Sequence, residues 1–351
     1  GKTNLDQKQQ SFTDIIIKSG QSLLTILNDI LDFSKLEAGK MKLDPAPFNL
    51  REVVEDVATL VASNAAEKDI ELIVRISPDL PERFIGDAGR LRQILNNLAG
   101  NAVKFTPKGH VFVDVKGFDD NPDRLRFEVQ DTGVGIPEDK LHKVFEEFNQ
   151  VDNTASRNHD GTGLGLSICS SLVRLMKGEI GVESMEGRGS NFWFEVECIA
   201  DYSKQQKRER SVDLNDAKVL IVDDNSVNRK ILTEMFTDWN LETVAVGSGR
   251  EALDLMRAIK GQNYPLDCVV LDYQMPHMTG GDVLKTMRAE EALADIPVIM
   301  LSSVDLAEAD QTFTEIGANA SLSKPARSER LYSTLEQVIG SMPKKSQSKV
   351  A

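Results

Sequence analysis

Two glycine-rich turns near the middle of the chain, the first preceded by a carboxylate, constrain the fold more than any other feature. They are DTGVGIP at 131–137 and DGTGLGLS at 160–167. Asp131 ends the alternating run LRFEVQD, which is typical of a half-buried strand. The second turn leads directly into a predicted helix, whose free N–H groups can hold phosphate. The pair predicts a nucleotide pocket, and the polar segment 150–160 between the turns predicts a lid.

A predicted helix over 87–105 supplies another wall of this pocket. Asn97, Asn101 and Lys104 follow at steps of four and three, so they share one helix face. An asparagine oxygen can ligate Mg²⁺, and a lysine can contact phosphate oxygens. An ordinary polar helix face would show the same spacing. Asp131 favours the pocket, because a buried acceptor at a strand end can take a hydrogen bond from an exocyclic amine such as adenine N6.

A dinucleotide-binding fold is the alternative explanation for such glycines. The spacing at 161–165 is G-x-G-x-G instead of G-x-G-x-x-G, and the strand does not stand upstream in a βαβ unit. The neighbouring patterns instead predict an α/β sandwich with its helices on one face of a mixed or antiparallel sheet. The predicted helices are 50–68, 87–105 and 165–176, and the predicted strands are 71–76, 111–116, 125–130, 179–183 and 190–198.

A proline-free segment over 5–38 predicts one long amphipathic helix. With Ser19 filling one position, its apolar residues recur at alternating steps of three and four, which is typical of a coiled-coil seam: Phe12, Ile16, Leu23, Ile26, Ile30 and Phe33. A single helix cannot bury such a seam by itself, so the pattern favours a homodimeric four-helix bundle. A core helix of a larger domain remains the alternative.

From Lys218 onward, five apolar runs alternate with five helical patterns, including one at 306–316. This alternation predicts a doubly wound parallel sheet, whose ligands bind at the carboxyl ends of the strands. The polar and charged side chains at those ends are Asp223, Asp224, Asp272, Ser302 and Lys324. Three carboxylates in one crevice repel each other and favour a bound divalent cation. With Mg²⁺ present, Asp272 is the candidate nucleophile toward a phosphoryl donor, and Lys324 and Ser302 can stabilise charge on the phosphoryl oxygens.

Composition excludes several classes of protein. The 351 residues carry a formal net charge of −14, which argues against a nucleic-acid surface. No run approaches the ~18 apolar residues that cross a bilayer, so the sequence predicts a cytoplasmic location, with a membrane segment only if one lies upstream of Gly1. Cys169, Cys198 and Cys268 lie far apart in apolar contexts and indicate free buried thiols.

The central motifs resemble those of sensor histidine kinases, which share the Bergerat-type ATP fold of gyrase and the Hsp90 chaperones. NNLAGNAVKFT, DTGVGIP, FEEF, GTGLGLS and EGRGSNF stand in the order of that family's N box, glycine boxes and F box. The resemblance implies that Asn97 ligates Mg²⁺, Asn101 and Lys104 lie near the phosphates, Phe105 lines the pocket and Asp131 reads adenine. It also implies an ATP lid over 148–163. The implied nucleotide-binding loop residues are Gly133, Gly135, Gly161, Thr162, Gly163, Leu164 and Gly165.

The C-terminal motifs VLIVDDN, LDYQMPHMTG, MLSS and SKP resemble response-regulator receivers. That resemblance implies direct metal binding by Asp224, binding through water by Asp223, a third ligand from the Gln274 carbonyl, and phosphorylation of Asp272. It also implies a cis Lys324–Pro325 bond. Ser321 stands where many receivers have Tyr or Phe, which favours a relay role over aromatic switching.

Together the motifs resemble a hybrid sensor histidine kinase. The implied reaction is ATP-dependent phosphorylation of a histidine, transfer to Asp272, and onward transfer to a histidine phosphotransfer protein. The helix ending LNDILDFSKLEAGK is similar to the second helix of the family's dimerisation hairpin. The first helix, with its S-H-E-[IL]-R-T-P phosphoacceptor motif, has no counterpart in this sequence. An ATPase clamp and a receiver that inhibits the kinase by docking remain alternatives. The predicted segments are the hairpin helix at 1–44, the ATP-binding domain at 45–199, a linker at 200–217, the receiver at 218–340 and a tail at 341–351.

Overall fold

A computed structural model describes residues 6–146, 163–203, 214–261, 265–303 and 313–341. The predicted lid falls mostly outside these residues, as do Gly161, Thr162 and the first part of the helix predicted at 306–316. The chain divides into two compact units. The first unit is Gly1–Val57, Pro81–Pro107 and Val115–Asp201. The second unit is Ala58–Leu80, Lys108–Asp114 and Tyr202–Ala351.

The first element is the long helix α1, Gln7–Glu37. Asp6 begins it with a capping box, in which its carboxylate accepts the N–H of Gln9 and the Gln9 side chain accepts the N–H of Asp6. The apolar residues of the predicted seam are largely exposed, and Ile16 reaches 70%. Near the other end, Asp32 accepts hydrogen bonds from Arg90 at 3.0 Å and Gln93 at 2.9 Å. The predicted helix is confirmed.

The predicted α/β sandwich is confirmed as a five-stranded sheet in the order β2-β4-β5-β7-β6. Strand β5 pairs antiparallel with β7, and β6 pairs antiparallel with β7. The strands are β2 Ile70–Ile76, β4 Gly109–Phe118, β5 Asn121–Asp131, β6 Glu179–Met185 and β7 Gly189–Glu197. The helices are α2 Leu50–Glu67, α3 Ala88–Phe105 and α4 Gly165–Leu175.

Alternation along the strands and helical spacing along α3 build the core of the first unit. Leu91, Ile94 and Leu98 are at most 1% exposed, and they occupy the helix face next to that of the asparagines. Phe127 of β5 stacks on Phe194 of β7 with ring centroids 4.7 Å apart. This packing fixes α3 and the end of β5, which together carry the candidate nucleotide residues.

A small three-stranded sheet, in the order β1-β3-β8, was not predicted. Its strands are β1 Ala46–Asn49, β3 Arg83–Gly86 and β8 Ile199–Ala200. Pro45 and Pro47 lack the N–H that a strand interior needs, so the sequence predicts only a break there. Pairing with β3 still buries Phe48 and Phe84, and this long-range contact overrides the local signal. A 3₁₀ helix at Glu138–Lys143 was also not predicted.

The second unit contains the predicted doubly wound parallel sheet, in the order β10-β9-β11-β12-β13. Its registers are all parallel. The strands are β9 Lys218–Val222, β10 Glu242–Val246, β11 Cys268–Asp272, β12 Val298–Ser302 and β13 Ala320–Ser323. The helices are α5 Ser226–Asp238, α6 Gly249–Gly261, α7 Gly280–Ala289 and α8 Ser328–Gly340.

The end of the predicted linker belongs to the core of this parallel sheet. Leu214 is 2% exposed and Ala217 is 8% exposed, and both pack with Phe236 and Trp239. The polar composition of 200–217 obscured the apolar anchor at Leu214. The three cysteines are free and buried, as predicted. None of the helices in the described parts of the chain combines the length and the apolar character needed to span a membrane.

Candidate functional site

The parallel sheet brings its acidic strand ends together where the strand order reverses. Strands β10 and β11 flank β9, so the loops that follow β9 and β11 run to opposite faces and leave a crevice between them. Asp223 follows β9 and Asp272 ends β11, while Lys324 follows β13. The topology therefore assembles three of the predicted residues in one place.

Lys324 is the centre of this cluster. Its Nζ lies 2.9 Å from Asp223 Oδ2 and 2.9 Å from Asp272 Oδ2. The side chains of Asp223 and Asp272 are at most 4% exposed, and that of Lys324 is 10% exposed. Buried ion pairs of this kind hold their geometry because separating the charges leaves each one unpaired in a poorly solvated site.

Burial changes the acidity of these groups. The pKa of Asp272 is raised to about 7, because loss of hydration and the negative charge of Asp223 outweigh the attraction of Lys324. Burial lowers the pKa of Lys324, but the surrounding carboxylates more than offset this and hold it above its ordinary value. Lys324 is therefore a permanent cation beside a carboxylate that a further positive charge would keep ionised.

The other predicted receiver residues surround this cluster at different depths. Ser302 is fully buried, and its carbonyl oxygen accepts the N–H of Lys324 at 2.8 Å. The Lys324–Pro325 bond is cis, as predicted. The N–H of Gln274 donates to Asp272 Oδ1 at 3.3 Å. Asp224 is exposed and lies outside the closest carboxylate group of the described residues, so its direct metal contact stays a prediction.

One residue of this cluster was missed by the sequence. Glu71 of β2 belongs to the second unit, and ligand atoms of Glu71, Asp223 and Asp272 all lie within 4.8 Å of one another. Its position in an alternating strand gave no signal of this role, because polar residues at such positions usually face solvent. Asn225 and Asn228, which donate hydrogen bonds to Glu71, were also missed, because polar residues are ordinary at the beginning of a helix.

The candidate nucleotide residues lie together in the first unit, at the end of β5 and along α3. Asp131 is 5% exposed and accepts the N–H of Gly133 at 2.8 Å. Burial raises the pKa of Asp131, and the N–H groups of Gly133 and Ser190 oppose that rise by donating to the carboxylate. The structure thus provides the buried acceptor at a strand end that the sequence predicts.

The first glycine turn allows two close backbone approaches. A Cβ at Gly133 would lie 2.4 Å from the carbonyl oxygen of Phe105, and one at Gly135 would lie 2.1 Å from that of Met185. Gly135 also has a left-handed φ of 67°. Val134 N donates to Phe105 O at 3.3 Å, which ties the turn to the end of α3. These glycines are therefore required by packing as well as by any ligand.

The amides of α3 meet the beginning of α4. Asn101 Nδ2 donates to Asn97 Oδ1 at 3.1 Å, and Asn97 Nδ2 donates to Cys169 Sγ at 3.4 Å. Burial raises the pKa of Cys169 to about 12, so the thiol stays protonated. Cys169, whose apolar sequence context indicates only a buried thiol, thereby helps orient Asn97. A Cβ at Gly165, the first residue of α4, would lie 2.4 Å from Asn97 Nδ2.

The other predicted nucleotide-site residues in the described part of the chain lie at the end of α3 and just before α4. Phe105 is 43% exposed, and Lys104 Nζ lies 5.2 Å from its ring centroid. Gly163 has a left-handed φ of 69°, and Leu164 is buried at the start of α4. The turn therefore delivers the chain to the helix N-terminus, where backbone N–H groups are free to bind an anion.

Three family models match consecutive parts of the chain. Residues 2–39 match the His Kinase A (phospho-acceptor) domain. Residues 86–199 match the Histidine kinase-, DNA gyrase B-, and HSP90-like ATPase family, and residues 219–336 match the Response regulator receiver domain. A crystal structure of full-length ShkA in complex with AMPPNP matches with a TM-score of 0.73 and 30% identity, over 98% of this chain and 67% of that one. The chain belongs to the hybrid sensor histidine kinases.

Curated hybrid kinases match almost the whole chain. Hybrid signal transduction histidine kinase K of Dictyostelium discoideum is 34% identical over 96% of this chain and 29% of its own length. The sensory/regulatory protein RpfC of Xanthomonas campestris pv. campestris is 34% identical over 95% of this chain and 50% of its own length. This hybrid kinase chain therefore spans half or less of these relatives.

Gly165→Ala should weaken binding of a Mg²⁺-ATP analogue about tenfold, or about 1.4 kcal/mol. The added methyl group would displace the Asn97 amide, whose Nδ2 lies 2.4 Å from its position. Isothermal titration calorimetry with AMPPNP and Mg²⁺ measures the change. Gly20→Ala is the matched control, because nothing lies within 4 Å of a Cβ at Gly20. Equal affinity of the Gly165→Ala and Gly20→Ala chains would exclude a role for this contact.

Proposed function

We propose that this chain is the catalytic and receiver part of an ATP-dependent protein-histidine kinase, and that it accepts the phosphoryl group on Asp272. The observation that carries the proposal is the pairing of buried Asp272 with Lys324 in a chain that also matches the histidine kinase ATPase family. Any buried carboxylate favours a paired cation, but this ammonium contacts the carboxylates at two strand ends, where it can also donate to the oxygens of a transferred phosphoryl group.

ATP is the proposed phosphoryl donor. ShkA, which is similar to 98% of this chain, was crystallised in complex with AMPPNP, and this supports an ATP site here. Asp131 would accept the adenine amino group, and Asn101, Lys104 and the N-terminus of α4 would bind the phosphates. Phe105 and the glycine turns would line the pocket, including Gly161 and Thr162 beyond the described residues. The left-handed glycines and the free N–H groups at α4 suit a close approach of phosphate oxygens.

The donor atoms of both sites suit Mg²⁺. Asn97 offers an amide oxygen in the first unit, while Asp223, Asp272 and the carbonyl of Gln274 offer oxygens in the second. Asp224, exposed beside Asp223, completes the proposed set. Oxygen-only donors of this charge are typical of Mg²⁺ and not of zinc or copper sites. When bound, Mg²⁺ would neutralise charge on the phosphoryl oxygens.

Transfer to Asp272 requires its ionised carboxylate, which a bound Mg²⁺ together with Lys324 would favour. A carboxylate oxygen attacks the phosphorus of a phosphohistidine, the new P–O bond forms as the P–N bond breaks, and the leaving imidazole nitrogen takes up a proton. Lys324 donates to an oxygen of the transferred group, and the hydroxyl of buried Ser302 donates to another. The acyl phosphate is then the donor to a histidine phosphotransfer protein, which is the proposed partner.

A homodimer is the proposed assembly, formed through the apolar face of α1. Ten large apolar residues of α1 are 38–70% exposed, and exposed apolar surface of this extent marks an interaction site. A second copy of the chain would cover the seam in a helical bundle.

Ile16→Asp combined with Ile30→Asp should raise the dissociation constant of this dimer at least about 100-fold. Each substitution would bury a carboxylate in the apolar interface between the two copies. Sedimentation equilibrium measures the dissociation constant. Gln10→Asp is the control, because Gln10 is exposed on a polar part of α1 and should leave the dimer intact. A dimer of unchanged strength in the double variant would place the interface elsewhere.

Labelling with [γ-³²P]ATP tests the proposed reaction in the protein that carries this chain. Acid-labile phosphohistidine should appear first, and acid-stable, base-labile acyl phosphate should follow at its expense. Steady ATP hydrolysis without any labelled protein would contradict the kinase assignment and support an ATPase clamp.

A further inference from the structure

The carboxylate of Glu71 is held by the donors of the phosphoacceptor centre. Its Oε1 lies 3.2 Å from Lys324 Nζ. Asn225 and Asn228, at the beginning of α5, each donate a side-chain N–H to its oxygens. Asn228 Nδ2 also donates to Asp223 Oδ2 at 3.2 Å, so the same amide serves the acidic crevice. Glu71 therefore accepts hydrogen bonds from the same side chains that donate to the acidic crevice.

The ammonium of Lys324 has no donor left while Glu71 is in place. An ammonium group carries three N–H donors. The three carboxylates around it are Asp223 and Asp272, each at 2.9 Å, and Glu71 at 3.2 Å. A phosphoryl oxygen that needs Lys324 must displace one of them, and Glu71 is the one that Asp272 chemistry does not require.

We infer that Glu71 acts as an internal stand-in for the phosphoryl group, and that its carboxylate must leave Lys324 before Asp272 can be phosphorylated. The inference rests on the proposed acceptor role of Asp272. A carboxylate and a phosphoryl group both present anionic oxygens that accept from the same ammonium and amide donors. Docking of Glu71 and arrival of the phosphodonor are therefore mutually exclusive.

Two further contacts within the second unit hold the Glu71 segment in this position. Arg75, on the same side of β2 as Glu71, forms an ion pair with Glu234 of α5 at 2.7 Å. Arg327, just before α8, donates to Thr59 Oγ1 of α2 at 3.2 Å. Glu71 is thus the central contact of an interface that spans α2 and β2 on one side and α5 and the start of α8 on the other.

The charges of the docked state favour release of Glu71. Three carboxylates share one ammonium, so each added carboxylate meets repulsion from the others. The rate of phosphorylation scales with the fraction of molecules in which Glu71 has left. A docked fraction of about nine in ten corresponds to a tenfold faster reaction once docking is removed.

Phosphorylation of the whole chain by ³²P-labelled acetyl phosphate with Mg²⁺ tests the inference. Glu71→Gln keeps the size of the side chain, removes its charge toward Lys324 and places a donor against the asparagine amides. We expect acyl phosphate to form about 5- to 10-fold faster than in the wild-type chain. Glu234→Lys, which opposes Arg75 without touching the acidic crevice, should also raise the rate several-fold.

Glu67→Gln is the matched control. Glu67 ends α2 four residues before Glu71, is exposed, and should leave the wild-type rate unchanged. A Glu71→Gln rate at or below that of the wild type would overturn the inference, as would an equal acceleration by Glu67→Gln. Absence of acyl phosphate from both the wild-type and Glu71→Gln chains would instead overturn the acceptor role of Asp272. The two failures are therefore distinguishable.

Discussion

Asp272→Asn should abolish acid-stable, base-labile phosphorylation of this chain by acetyl phosphate. The amide is isosteric with the carboxylate but has no anionic oxygen to attack phosphorus, and removal of a nucleophile costs several orders of magnitude in rate. Lys324 keeps its contact with Asp223 at 2.9 Å, so the crevice retains a charge pair. Label incorporation should fall below about 1% of the wild-type value.

The stability of the Asp272→Asn chain should be at least that of the wild type in the presence of EDTA. Burial and the charge of Asp223 raise the pKa of Asp272, so the native state disfavours its ionised form near neutral pH. Thermal unfolding therefore separates loss of chemistry from loss of fold. Asp238→Asn, at the exposed end of α5, is the control and should be labelled normally. Wild-type labelling of the Asp272→Asn chain would place the acceptor on another residue.

Most of the fold could be predicted because its elements carry strong local patterns. The strands β9, β11 and β12 are short apolar runs, since parallel strands are buried on both faces, and each ends at or just before a polar residue. Helix α3 shows a buried apolar stripe at helical spacing. The small sheet of β1, β3 and β8 had no such signal, because strands of two to four residues with prolines are stabilised only by partners distant in sequence.

The same distinction between local pattern and long-range contact applies to the candidate site residues. The positions of the candidate residues Asp131, Asp272 and Lys324 could be predicted because each stands at or just after the end of a recognisable strand beside a motif. Glu71 could not, because its partner Asn225 lies 154 residues away and nothing in β2 distinguishes this glutamate from other polar strand residues. Cys169 was likewise unpredictable as a partner of Asn97, 72 residues before it. Sequence motifs mark the candidate residues for the chemistry, whereas the residues that contact them are fixed by tertiary packing.

Asp131→Asn should weaken binding of AMPPNP with Mg²⁺ by about 100-fold, or about 2.8 kcal/mol. The asparagine oxygen can still accept the N–H of Gly133, now 2.8 Å from Asp131 Oδ1, so the first glycine turn is preserved. The other side-chain position becomes an NH₂ donor, which would face the amino group of adenine. Two donors then oppose each other in a site that is only 5% exposed, and neither can turn to water.

A comparison of two nucleotides that differ only in the base tests whether the lost affinity reflects recognition of adenine. Inosine triphosphate carries a carbonyl oxygen in place of the adenine amino group, so the wild-type chain should bind it weakly and the Asp131→Asn chain should bind it better than ATP. Asp119→Asn, an exposed change in the turn after β4, is the control and should keep the wild-type preference. Equal weakening for both nucleotides would mean that Asp131 holds the turn in place without reading the base. An inverted preference would tie the buried carboxylate between the two glycine turns directly to adenine.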